Sequence, residues 1–137
     1  MEDAGKSGYK VLSILLLESS FKRESNIDFS KQLDNHVEVN TNYGVVSNNQ
    51  LICVVDLKFS STIGKEKVIE SAIKMTGLFE KVGNPGIADE KFGKINAPSI
   101  IFPFIREHLA SLSSKAINQP ILLHPVNFVA MAEQQQK

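Results

Sequence analysis

The residues able to do chemistry in this chain are few and scattered. His36, His108 and His124 stand far apart, and none has a cysteine or carboxylate at the spacing of a metal-ligand pair. They read as surface or capping histidines, so no metal site is expected. Gly83-Asn-Pro-Gly86 lacks the Lys-Ser/Thr that follows the last glycine of a phosphate loop, and Gly93 is isolated. The single cysteine, Cys53, falls inside an apolar alternation, where a thiol behaves as a small hydrophobe. A nucleophilic cysteine wants an electropositive, partly open setting instead. One cysteine also excludes an intrachain disulfide and a cysteine-based zinc site, and it fits a reducing compartment. Arg106-Glu107 adjoins an apolar helical stripe, where such a pair more readily fixes packing or an interface than it performs catalysis. No catalytic residues, cofactor or metal are expected, and the chain does not read as an enzyme.

The elements that position these residues belong to one domain. A chain of 137 residues can bury one core, and its 42% hydrophobic and 22% charged residues are those of a folded protein. The net charge is zero and no dense Lys/Arg run occurs, so neither nucleic acid nor an anionic membrane is an expected partner. The longest apolar run, Ile14-Leu15-Leu16-Leu17, is far shorter than the roughly 20 residues that cross a bilayer. The start, Met1 to Gly8, is polar without a hydrophobic signal region, so a cytoplasmic location is expected. Residues 1–8 read as a disordered tail, residues 133–137 as a fraying end, and 9–137 as a single domain.

Tyr9 to Phe21 alternates at first and is apolar on both faces, as a strand covered on both sides would be. A polar connection, Lys22 to Asn35, carries Ile27, Phe29 and Leu33. His36 to Val46 alternates again, and Ser47-Asn-Asn49 turns the chain. Leu51 to Thr62 is the clearest strand: Leu51, Cys53, Val55, Leu57 and Phe59 share one face at period two. Its other face changes from Ile52 and Val54 to Asp56, Lys58 and Ser60. Lys67 to Phe79 aligns Ile69, Ser71, Ile73 and Met75. Sequential strands with tight turns imply a four-stranded antiparallel meander.

Pro98 then opens a helix with Ile100, Ile101, Phe104, Ile105, Leu109 and Leu112 in a broad apolar stripe; Pro103 either falls in its first turn or two, where proline costs least, or divides an entry turn from the main helix. Asn118-Gln-Pro120 breaks the chain, and Asn127 is placed to cap a short last helix with Phe128 and Met131. The expected class is α+β, a β-meander backed by two C-terminal helices. Two helices cover one sheet face only, so the surplus apolar residues of the first and third strands require a subunit contact or a peptide groove.

Four segments carry a family resemblance. Ala97-Pro-Ser-Ile-Ile-Phe-Pro-Phe-Ile-Arg-Glu107 resembles the Cys-Pro-Asn-Ile-Leu-Phe-Pro-Tyr-Ala-Arg-Glu of SecB, the bacterial protein-export chaperone. Pro125-Val-Asn-Phe128 is identical to that family's motif, Thr76-Gly-Leu-Phe79 corresponds to its Gly-Ile-Phe, and Glu18-Ser-Ser-Phe21 is similar to its Asp-Ile-Ser-Phe. The resemblance implies a sheet of four antiparallel strands backed by two helices, assembled as a dimer of dimers, a homotetramer. It implies an ATP-independent holdase that keeps unfolded or secretory precursor polypeptides in a hydrophobic groove. The client-binding residues it implies are Phe21, Phe29, Val37, Val39, Phe102 and Phe104. Docking to the SecA motor would rest on Glu18 and Glu70.

The chain departs from that pattern where docking is concerned. Lys22 stands where the family usually has Glu, Ala72 replaces another acid, and the net charge is zero rather than acidic. Two other expectations therefore stand beside export. One is a SecB-like chaperone dedicated to the antitoxin of a toxin–antitoxin system. The other is a structural oligomerisation or adaptor module without a client groove.

Overall fold

A computed structural model of the chain describes residues 7–135. Four long strands, β1 (Gly8–Arg23), β2 (Asp34–Ser47), β3 (Gln50–Ile63) and β4 (Glu66–Val82), form one antiparallel sheet. The helical layer begins with a short turn, α1 (Asp89–Lys91). It passes through a π-helical turn (Phe92–Asn96) into α2 (Ala97–Ile117) and ends with α3 (Phe128–Gln135). Most of the expected tail lies outside the described residues, and Gly8 at its end already pairs with Val82. At the other end α3 continues through residues expected to fray, as far as Gln135.

The strand order is β1-β4-β3-β2, which corrects the expected meander. Only β2, β3 and β4 follow one another as hairpins; β1 lies beside β4. This is a four-strand Greek-key order. Two-residue links force consecutive strands to pair, whereas the segment 24–33 is long enough to carry the chain across the sheet. The placement makes β3 and β4 the inner strands, which suits their heavily buried helix-side residues.

Under the helices, Leu51, Cys53, Val55, Leu57 and Phe59 of β3 lie opposite Phe79, Gly77, Met75, Ile73 and Ser71 of β4. Ile101, Ile105 and Leu109 of α2 close the layer, and the α3 ring Phe128 meets Phe102 edge-on at 5.9 Å. Each such side chain contributes about 1.5–3 kcal/mol on leaving water. Two glycines set the separation of the layers. A Cβ on Gly77 would lie 2.9 Å from the Phe79 ring and 3.0 Å from Ile101 Cδ1, and one on Gly93 would overlap the Tyr43 ring.

The start of the helical layer is pinned by Tyr9. Its ring stacks on Phe92 at 3.7 Å, and its hydroxyl is 2.9 Å from Ile87 O and 2.8 Å from Asp89 Oδ1. Lys81 Nζ reaches the same Asp89 oxygen at 3.0 Å. Burial, then the bond to Asp89, pushes the Tyr9 hydroxyl up to about 12, while Lys81 and Tyr9 hold the Asp89 carboxyl below its ordinary range. The helical path from Asp89 to Ile117 also places Pro103 inside the helix rather than near its start. The missing N–H leaves the carbonyl of Ser99, four residues earlier, without its helical partner, and Ser99 is exposed to water.

Candidate functional site

Two connections without regular structure, 24–33 after β1 and 118–127 after α2, face each other across an apolar groove of about 240 Å3. Phe29, Leu33, Ile69, Ile117, Ile121 and Leu122 line it, and its polar members, Asn35, Ser61, Gln119 among them, carry no charge. Phe29 is 47% exposed and Leu122 74% exposed, large apolar surfaces left open to water at the mouth.

Three clasps build the groove. Arg23, at the end of β1, donates from Nη1 to Ala116 O at 2.7 Å, from Nε to Glu24 O at 2.8 Å and from Nη2 to Ser25 O at 3.1 Å. One guanidinium thus holds the C-terminal turn of α2 and the start of the crossing segment, satisfying a carbonyl the helix end leaves unpaired. Ser113 is fully buried; its Oγ donates to Leu109 O at 2.8 Å and accepts the Ile121 N–H at 2.7 Å. That fixes the wall carrying Ile121 and Leu122 against α2. Between them Asn118 takes the left-handed conformation, φ 62°, that ends the helix and turns the chain. On the floor, the Ser61 hydroxyl donates to Asn35 Oδ1.

The residues expected to contact a client do not gather at one place. Phe29 stands at the groove mouth. Phe21 and Val39 are half-buried against the core, and Val37 is half-exposed beside Phe59 on outer strand β2. Phe102 is 3% exposed, held between the core and Phe128. Phe104 is 49% exposed on the opposite flank of α2. There α2 runs alongside β1, tied by Ser19 Oγ to His108 Nε2 at 2.8 Å and by Arg23 to Ala116. Phe104 lies one turn before His108 on α2, and β1 exposes Leu12, Leu16 and Leu17. Ile121, Leu122 and two of the clasps, Arg23 and Ser113, carried no sequence signal. They lie in or beside irregular segments, where no period marks a face; only the alternation of exposed Leu122 with buried Leu123 hints at a wall.

Glu18 and Glu70 lie on the other face of the sheet. Glu18 pairs with Lys74 at 3.8 Å, and Glu70 with Lys67 at 3.3 Å, directly across from Lys22. Among the described residues no group of three or more His, Cys, Asp and Glu is placed to hold a metal, and no helix is long and apolar enough to cross a membrane.

The family described as Preprotein translocase subunit SecB matches residues 9–137. Protein-export protein SecB of Azoarcus sp. (strain BH72) is 32% identical over 101 residues, which are 73% of this chain and 67% of that protein. The protein of the same name from Saccharophagus degradans is 26% identical over 134 residues, 95% of this chain and 80% of its own. Among solved structures, the Mycobacterium tuberculosis Rv1957 SecB-like chaperone, in complex with a ChAD peptide from the Rv1956 HigA1 antitoxin, superposes with a TM-score of 0.73 at 13% identity. It covers 87% of this chain and 91% of that one. A likeness at that identity bears on the fold, and it has the same sheet-and-helix architecture; the match over 9–137 bears on descent. The chain belongs to the SecB family.

Proposed function

We propose that this chain is an ATP-independent holdase that captures extended apolar segments of non-native polypeptides in the groove between the 24–33 and 118–127 segments. The observation that carries the reading is an uncharged groove of six large apolar side chains beside Asn35, Ser61 and Gln119, with Phe29 and Leu122 exposed. A charged side chain would lose hydration there without a partner, whereas leucine- or phenylalanine-sized groups would gain. Polar Asn35 and Gln119 offer hydrogen bonds to a client backbone, which is present whatever the client's sequence. Phe29 is then a contact residue and Phe102 a support behind the site. Phe104 and the β1 run are a surface for a second copy, completing an oligomer. The chain carries out this work in the cytoplasm.

The test is the refolding of a slow-folding denatured protein with stoichiometric chain and no nucleotide. Delayed folding or suppressed aggregation supports the holdase; no effect at large excess rejects it as a general activity. A second reading is a chaperone dedicated to an antitoxin, favoured by the antitoxin peptide bound to the structural neighbour. The engagement of Glu18 with Lys74 and of Glu70 with Lys67 favours it too, since acids already paired are poorer docking points for a motor. Titration with purified SecA separates the readings: binding supports export, and its absence alongside client capture supports the dedicated role.

A further inference from the structure

The sheet face turned away from the helices carries a second concavity, of about 550 Å3, at the end where β1 finishes and β4 begins. The register writes it out in rows across the four strands. Lys22, Glu70, Ser60 and His36 form one row, and Ser20, Ala72, Lys58 and Glu38 form the next. Small side chains, Ser20, Ala72 and Ser60, make the floor, and long charged ones make the walls, which is why a flat sheet face is hollow here.

Its charges are unequally engaged. Both carboxylates have partners: Glu70 holds Lys67 at 3.3 Å, and Glu38 Oε2 accepts from Asn40 Nδ2 at 3.0 Å. Among the described residues neither Lys22 nor Lys58 forms an ion pair, and both are exposed. His36 adds an imidazole at the β2 side. Three lysines, Lys22, Lys58 and Lys67, face two carboxylates, Glu38 and Glu70, so the hollow carries a net positive charge. This is opposite in sign to an acidic docking face.

We infer that this hollow docks an acidic polypeptide segment, laid across the strands with carboxylates on Lys22 and Lys58. The two lysines are two strands apart and one row apart, about 12 Å from the strand spacing and rise. An extended chain, at about 3.3 Å per residue, matches that distance with acidic residues four positions apart, which lie on one side of it. The hollow lies on the opposite sheet face from the apolar groove, so both can be occupied together.

The experiment is fluorescence anisotropy of the full chain with three labelled peptides of one length, carrying Glu, Gln or Lys at every fourth position. The Glu peptide is expected to bind about tenfold more tightly than the Gln peptide, since two exposed charge contacts are each worth a factor of a few. Its affinity is expected to fall with added salt. In the Lys22→Glu/Lys58→Glu variant that preference should vanish, with melting temperature and capture of an apolar client unchanged. Lys22→Gln/Lys58→Gln provides the same readout should charge reversal disturb the fold. Equal binding of the Gln peptide, preference for the Lys peptide, or undiminished Glu binding by a folded variant overturns the inference. So does tighter binding of a single-stranded oligonucleotide than of the Glu peptide.

Discussion

Cys53 has no solvent exposure, and its thiol lies 3.8 Å from Gly93 O in the π-helical turn. Burial pushes that thiol from 9.0 up to about 12. In the native protein it should therefore resist a thiol reagent at pH 8 and react only at the rate of unfolding, as a labelling time course with and without denaturant would measure. The same shift fixes a sign. A folded pKa above the unfolded one gives stability that is complete below pH 9.0 and is lost as pH rises toward about 12. Tyr9, raised from 10.0 to about 12, acts in the same direction. Asp89 acts in the opposite one: its lowered pKa supports the fold above 3.8, and that support disappears as the pH falls through the folded value. Thermal melts across pH should thus decline on both flanks, and an alkaline flank that stays level would contradict the buried thiol. Leu122, at 74% exposure, is the converse case. Leu122→Ala should move stability by less than about 0.5 kcal/mol, as surface changes do, yet weaken client capture. Equal client binding by the variant would remove Leu122 from the site.

At the scale of elements, Ser113 is the link whose loss should be most specific. Ser113→Ala leaves the Ile121 N–H without its acceptor, at a cost of about 1–3 kcal/mol, and frees the 118–127 wall. Hydrogen exchange at the Ile121 amide should quicken well beyond any change in the β3 amides; uniform change would make Ser113 an ordinary core residue. Gly93→Ala tests the other junction, since its Cβ would overlap Tyr43 and overpacking of this kind costs about 1–3 kcal/mol. A denaturant midpoint equal to that of the unaltered chain would show that β2 yields easily there. These elements differ in how far the sequence revealed them. The period-two run of β3 was legible because one face lies wholly under helices, and Asn127 was legible as a cap, its Oδ1 accepting the Ala130 N–H at 3.0 Å. The place of β1 beside β4 was not, because pairing across the sheet is decided by tertiary fit once a connection is long. The helical stripe took in Phe104 and left out Phe102, the reverse of their burial, 49% and 3% exposed. Helix α2 meets the sheet on one side and Phe128 on another, so the residue buried between them lay outside a single-faced pattern. The groove itself is made by loops, whose residues follow no period.

For the whole molecule, the unsettled surface is β1. It is an outer strand with two register shifts, between Val11 and Ser13 and between Leu16 and Glu18, and it exposes Val11, Leu12, Leu15, Leu16 and Leu17 in succession. An apolar outer strand with unpaired backbone groups invites either aggregation or a specific partner. Phe104 is exposed on α2, one turn before the His108 that ties this helix to Ser19 of β1. The proposed second copy would satisfy both requirements, since like edges can pair antiparallel about a two-fold axis while their apolar side chains meet. Leu16→Glu places a charge at the centre of that surface without touching the core or the groove, and its fold should survive. Light scattering after gel filtration should give a mass of two or more chains for the unaltered protein and of one chain for the variant at micromolar concentration. An assembled Leu16→Glu variant would move the interface elsewhere. A monomeric unaltered chain that stays soluble would mean that the β1 surface is itself open to clients, making the holding surface larger than the groove.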